Sequence, residues 1–217
     1  MRPAIPMEGN PWPHDMVLSI ADDPNMVLEL LWVREAWGLH PVGDLPPLLI
    51  DAPGDVRETP DATSWEAAWP ALWDAVIAHA GVVIDPGLFD EVAAAPPGSP
   101  ARAALIAQLR GPSWRDRFGD AAFDDRYLSW TERRFQERIS LHARPLEEHP
   151  ERRSLAALVP AWEAGLMRIV TIPCRGEHTR VIGDSALLVT DATRADPELY
   201  SAARASFTRH AEPGAWA

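Results

Sequence analysis

At 217 residues, with 47% hydrophobic residues and ten tryptophans, the chain is long enough to bury a sizeable core and too apolar to be disordered. Its formal net charge of −12 argues against nonspecific attachment to nucleic-acid phosphates and leaves a basic protein partner open. A single cysteine excludes an internal disulfide and fits a reducing, cytoplasmic setting; no apolar run approaches the ~20 residues of a membrane span, and the N-terminus lacks a secretory apolar stretch.

Residues 1–15 read as an irregular arm, followed by a short strand at Met16–Ile20. Asp23-Pro24 predicts a helix start, with Asp as cap and Pro in the first turn, and Gly38 closes that helix after Trp37. Met26, Leu30, Val33 and Trp37 form one stripe, widened by Val27 and Leu31, as in a buried helix. Leu48–Ile50 reads as a short strand within a Pro- and Gly-rich stretch. Trp65, Trp69, Trp73 and Ile77 then recur every four residues and share a helix face. Core packing is the plain reading of that row; an aromatic platform for a stacked ligand is the other.

Val82–Ile84 reads as a strand or an apolar connector. Ser99-Pro100 opens a helix that Gly111-Pro112 closes. Asp120 is placed to cap the longest helix, about Ala121 to Leu141, with Phe123, Tyr127, Phe135 and Ile139 as its buried stripe. Another helix is expected from Arg152 to Leu166, with Pro160 inside it. Asp196-Pro197 starts the last helix, whose inward stripe is Leu199, Ala203 and Phe207, and a loose tail follows Ala211.

Between the last two helices lies the clearest strand pattern, Met167 to Thr190. Arg175-Gly176-Glu177-His178 fits a two-residue hairpin turn of type II′, which wants glycine at its first central position. That register sets Cys174 opposite Thr179 and Ile172 opposite Val181. Val170, Ile172, Cys174, Thr179 and Val181 then share an apolar face, which Leu187 and Val189 join if Gly183-Asp184-Ser185 is a three-residue loop. Arg175, His178 and Arg180 stand together on the other face.

These readings predict one α+β domain over 1–217, mainly helical through residue 166, with a three-stranded antiparallel meander and a terminal helix over 167–210.

The chemistry is sparse. Cys174 and His178 fall on opposite faces of the hairpin, and a lone cysteine supplies no zinc pair, so the thiol reads as packing and no metal or cofactor is expected. The acid pairs Asp22-Asp23, Asp124-Asp125 and Glu147-Glu148 sit at helix starts or in polar connectors, where exposed backbone donors favour negative charge. No nucleophile elbow, phosphate loop or dinucleotide glycine motif is present. Arg175, His178 and Arg180 are therefore the candidate binding residues, able to receive a carboxylate or phosphate. The sequence favours a binding or accessory protein working through protein contacts, possible basic partner included. The alternative is an enzyme acting on a small anionic substrate near those three residues. No catalytic residue is assigned.

Overall fold

The computed structural model describes residues 11–54, 56, 57, 59, 61–142, 145 and 148–211, without the side chains at 140–142. The described residues form β1 (Ser19–Asp22), α1 (Asn25–Ala36), α2 (Ala62–Ala80), α3 (Gly87–Ala94), α4 (Pro100–Arg110), α5 (Trp114–Phe118) and α6 (Asp125–His142). They continue with α7 (Pro150–Arg153), α8 (Leu155–Glu163), β2 (Arg168–Ile172), β3 (Thr179–Ile182), β4 (Ala186–Thr190), α9 (Asp191–Ala195) and α10 (Pro197–Ala211). The class is α+β, helix-rich before β2, with the terminal helix in place. The expected C-terminal tail, and most of the expected N-terminal arm, lie outside the described residues.

The sheet corrects the expected meander. Its order is β1-β2-β4-β3: β1, β2 and β4 run parallel, and only β3 is antiparallel, at the edge. β2 and β3 are therefore not neighbours. Ile172 pairs with Thr190, Thr179 with Val189 and Val181 with Leu187, while Cys174 bridges Leu49. The reason lies in the strands' chemistry. All five residues of β4 are buried, and β2 is buried from its second residue on, so both want helices on either face. β3, with Thr179 and Arg180 only half-buried, tolerates the edge.

Gly176 still makes a turn, at φ +66°, but the chain strides past the end of β4 instead of folding back beside β2. The Gly183–Ser185 loop holds as expected, with Ile182 directly opposite Ala186.

Because both sheet faces are covered, the expected single apolar face is split. Val170, Ile172, Cys174, Ile182 and Leu188 join a core built with α1 and α2. Ile169, Leu187 and Val189 join a second core with Leu158, Ala161, Tyr200, Ala203 and Phe207. The tryptophan row fills the first core. Trp69 stacks on Trp73 at 5.2 Å, and its indole N–H donates to the Leu30 carbonyl at 3.0 Å; Trp37 and Trp114 meet Trp65 edge-on.

Two helices depart from expectation. α6 starts later, at Asp125, and buries Tyr127 and Trp130 while Phe135 and Ile139 are 46% and 49% exposed. Beyond Trp130 it leaves the core and presents Arg134 and Arg138 to the end of β1. The expected helix from Arg152 is broken at Ser154 into α7 and α8. Val82–Ile84 forms no strand, and Leu48–Ile50 contributes a single bridge. α3 and α4 pack on each other without a buried residue between them, leaving Phe89 and Ile106 exposed. No helix among the described residues is long and apolar enough to cross a membrane.

Candidate functional site

The parallel strands bring their carboxyl ends together. β1 ends in Asp22, which stands beside Thr171 of β2, and β4 ends in Thr190, followed by Asp191. In open sheets with parallel strands, this edge is where crevices form and ligands bind. Here a cavity of about 80 Å³ is lined by Asp22, Asp23, Arg134, Glu137, Arg138, Thr171, Asp191 and Arg194. A neighbouring cavity of about 230 Å³ shares Asp23, Arg134 and Arg138 and adds Asn25, Leu28, Thr131, Glu132 and Phe135.

Asp23 is the pivot of the crevice. It is the one non-glycine residue with positive φ among the described residues, at +50°, a conformation aspartate tolerates better than most side chains. It does not cap α1 as expected, for no side-chain cap bond is made there. Its carboxylate points instead to α6, where Arg134 Nη2 donates to Oδ2 at 2.6 Å. The residue is only 5% exposed, and its second oxygen, Oδ1, is buried with no hydrogen-bond partner. Burial pushes the carboxyl above its ordinary range, and Arg134 draws it part of the way back.

The same Arg134 Nη2 donates to Asp191 Oδ2 at 3.1 Å, and Nη1 donates to Glu137. Asp191 is pushed up to about 6, first by burial and then by the charge of Asp23, against the pull of Arg134. A second bundle of charge lies behind. Arg194 donates to Asp22 Oδ1 at 2.7 Å and grips Glu151 through Nε and Nη2, at 2.8 and 3.1 Å. Thr171 and the Arg138 guanidinium tie Asp22 further, through its side chain and its carbonyl.

α9 is set by Thr190. The buried hydroxyl of Thr190 accepts the Thr193 N–H at 3.1 Å and donates to the Gly176 carbonyl at 2.7 Å. This bond positions both Asp191 and Arg194. Thr190→Val keeps the shape and removes the cap, so unfolding free energy should fall by about 1–2 kcal/mol. Urea denaturation read by tryptophan fluorescence checks this.

The candidate residues read from the sequence lie outside this crevice. Arg175 Nε donates to the Leu49 carbonyl at 2.8 Å. Arg180 on β3 pairs with Asp74 at 2.8 Å and approaches Asp44 at 4.0 Å. Burial, and then the charge of Arg180, hold the His178 imidazole below its ordinary range, with Asp44 pulling the other way. His178 and Arg180 thus share the field of Asp44, while Arg175 is turned to the Leu48–Leu49 segment. None of the three lines either cavity of the crevice.

Cys174 is fully buried, and its thiol is pushed up to about 12, mainly by burial. Of the acid pairs, Asp124 is held below its ordinary range: burial raises it, but hydrogen bonds from Arg126 outweigh that. Glu147 lies outside the described residues.

Among the described residues, no group of three or more histidine, cysteine, aspartate or glutamate side chains is placed to hold a metal ion. No family model matches the chain, and neither a curated protein nor a solved structure matches it.

Proposed function

We propose that this chain is a binding protein whose seat for a small polar ligand is the crevice at the carboxyl ends of β1, β2 and β4. One observation carries the reading. Asp23, which lines both cavities, is nearly buried, held in a left-handed backbone conformation, and keeps one carboxylate oxygen without a hydrogen-bond partner among the described residues. Backbone strain and displaced carboxyl pKa values gather at functional sites more than elsewhere. Arg175, His178 and Arg180 remain the alternative seat, for an anionic substrate. The crevice is preferred because Arg175 and Arg180 already hold a carbonyl and a carboxylate of their own chain.

The test is a thermal-shift screen of small amines, amino acids, carboxylates and phosphates against the wild type and Asp23→Asn. Asparagine tolerates the left-handed backbone and keeps the shape. At least one class should raise the wild-type melting temperature by several degrees and leave the variant unmoved. Stabilisation by no class, or equally in both proteins, removes the support for the crevice.

A second reading, binding through protein contacts, is favoured by α3 and α4. Val82, Val83, Phe89 and Ile106 are all about half-exposed there, and neither helix buries a residue. With a net charge of −12, a basic partner would be drawn in and released by salt.

A further inference from the structure

We propose a second ligand site, separate from the crevice, where the Arg168 guanidinium takes the carboxylate of a small acid with an apolar body. The cavity measures about 220 Å³ and lies between the first turn of α1, the last turns of α2 and α4, and Arg168, which opens β2. It shares only Asn25 with the lining of the crevice.

The charge of the lining points to an anion. His79, Arg110 and Arg168 line the cavity and no carboxylate does, in a chain whose net charge is −12. Two of these groups are already engaged: Arg110 pairs with Asp116, and His79 Nε2 meets the Gln108 carbonyl at 2.9 Å. Arg168 differs. Its Nε donates to the Ala80 carbonyl at 2.7 Å and its Nη1 to the Ser19 hydroxyl at 3.1 Å, both neutral acceptors. Nη2 makes no hydrogen bond among the described residues, and unlike the unpartnered nitrogens of Arg134 and Arg204 it is open to solvent. Ala80 itself lines the cavity, so the bond to its carbonyl brings the head of Arg168, and not the stem alone, to the wall. No carboxylate supports this cation: burial alone holds it below its ordinary range. A ligand carboxylate would supply the missing countercharge through a charge-assisted hydrogen bond.

The last turns of α2 and α4 bring carbonyl oxygens to the same cavity, and bare carbonyls would repel an anion. Arg168 meets the one at Ala80, and His79 meets the one at Gln108. α1 brings the opposite pole, for it begins here with no capping side chain and no acid in its first turn.

The rest of the wall is apolar, from Met26, Val76, Ile84, Leu109 and Pro112. The volume falls below the ~300–1,000 Å³ of pockets for drug-sized ligands, so the body is compact. A phosphate dianion would bring a second charge into an apolar-walled space where one guanidinium nitrogen is open, and burying that charge unpaired is costly. A monocarboxylate fits the donors present.

The experiment is calorimetric titration of the full chain with 3-phenylpropanoate, hexanoate, 3-phenylpropanol, 3-phenylpropylammonium and inorganic phosphate. The two carboxylates should bind, the alcohol should bind at least tenfold more weakly, and the ammonium and phosphate should not bind. Arg168→Met keeps the stem and removes the head, so it should weaken both carboxylates by about tenfold or more and leave the alcohol nearly unmoved. Arg168→Lys keeps the charge without the fork and should fall between. Leu109 is half-buried on a helix that buries no residue, so Leu109→Ala should leave folding intact and weaken both carboxylates severalfold. Circular dichroism reports folding; if Arg168→Met does not fold, Arg168→Lys and Leu109→Ala decide. Carboxylate binding unchanged in every folded variant overturns the placement. Phosphate or the ammonium bound in preference to the carboxylates overturns the ligand class. Carboxylate binding lost in Asp23→Asn and kept in Arg168→Met moves the ligand to the crevice. Silence of every compound overturns this site and leaves the crevice reading standing.

Discussion

Replacing Glu151 with alanine is expected to lower the unfolding free energy at pH 7 by about 3–5 kcal/mol, the range for removing one partner of a buried ion pair. Glu151 is 6% exposed and fully used. Oε1 accepts from Arg194 Nε and from the Tyr200 hydroxyl, each at 2.8 Å, and Oε2 accepts from Arg194 Nη2 at 3.1 Å. Alanine strands a guanidinium that is 18% exposed and a phenol with no exposure at all. The loss also spreads across the sheet edge, because among the described residues Arg194 then keeps Asp22 alone as its carboxylate partner beside β1. Glu151→Gln retains the shape and some of the bonds, so it should cost less, about 1.5–3 kcal/mol.

The pH dependence has a definite sign. Burial raises the Glu151 carboxyl, but the Arg194 bonds outweigh it and leave the group below its ordinary range. Such a carboxylate contributes stability above its unfolded pKa and loses it as pH falls through the folded one. The penalty of Glu151→Ala should therefore be full at neutral pH and shrink below about pH 4. Urea midpoints at several pH values measure it.

Much of the helical framework is legible in the sequence, because its signals are local. Asp196 caps α10 through its side chain, and Ser99 caps α4 before Pro100, as their residue types require. The sheet was harder, because two local rules disagreed. Arg175-Gly176-Glu177-His178 satisfies a hairpin, while the unbroken apolar run of β4 demands a central position; burial of five side chains on two faces outweighs one turn. The run itself was the available signal.

The crevice was less legible still. Asp22-Asp23 carries the look of a helix start, and what makes it a site arrives from residues 111 and 172 positions away, Arg134 and Arg194. One clue was present. Two strands run straight from apolar residues into aspartate, Ile20 to Asp22 and Val189 to Asp191, and in a parallel sheet those ends must share an edge. Without the parallel pairing, the two aspartates could not be brought together by reasoning.

Arg134→Leu is the sharper probe of that edge, because its cost should depend on pH. Arg134 is the shared cation of Asp23 and Asp191, and leucine leaves a nearly buried carboxylate beside a second one. At pH 7 the expected loss is again about 3–5 kcal/mol. Both carboxyls already lie above their ordinary range with Arg134 in place, and Arg134 lowers each. Its removal must push them higher.

A carboxyl raised in the folded state takes up protons more readily folded than unfolded, so its folded form gains stability as pH falls through the folded value toward the unfolded one. In the wild type, Asp191 makes that gain between about 6 and its ordinary value of 3.8. In the variant the gain begins at higher pH, so the gap between the two proteins should narrow from pH 7 to pH 5. Adding Asp23→Asn to Arg134→Leu removes the stranded charge and should recover part of the loss at pH 7, a coupling that a double-mutant cycle reads directly. A gap of equal size at both pH values, with no recovery in the double variant, would mean that Arg134 acts by packing alone.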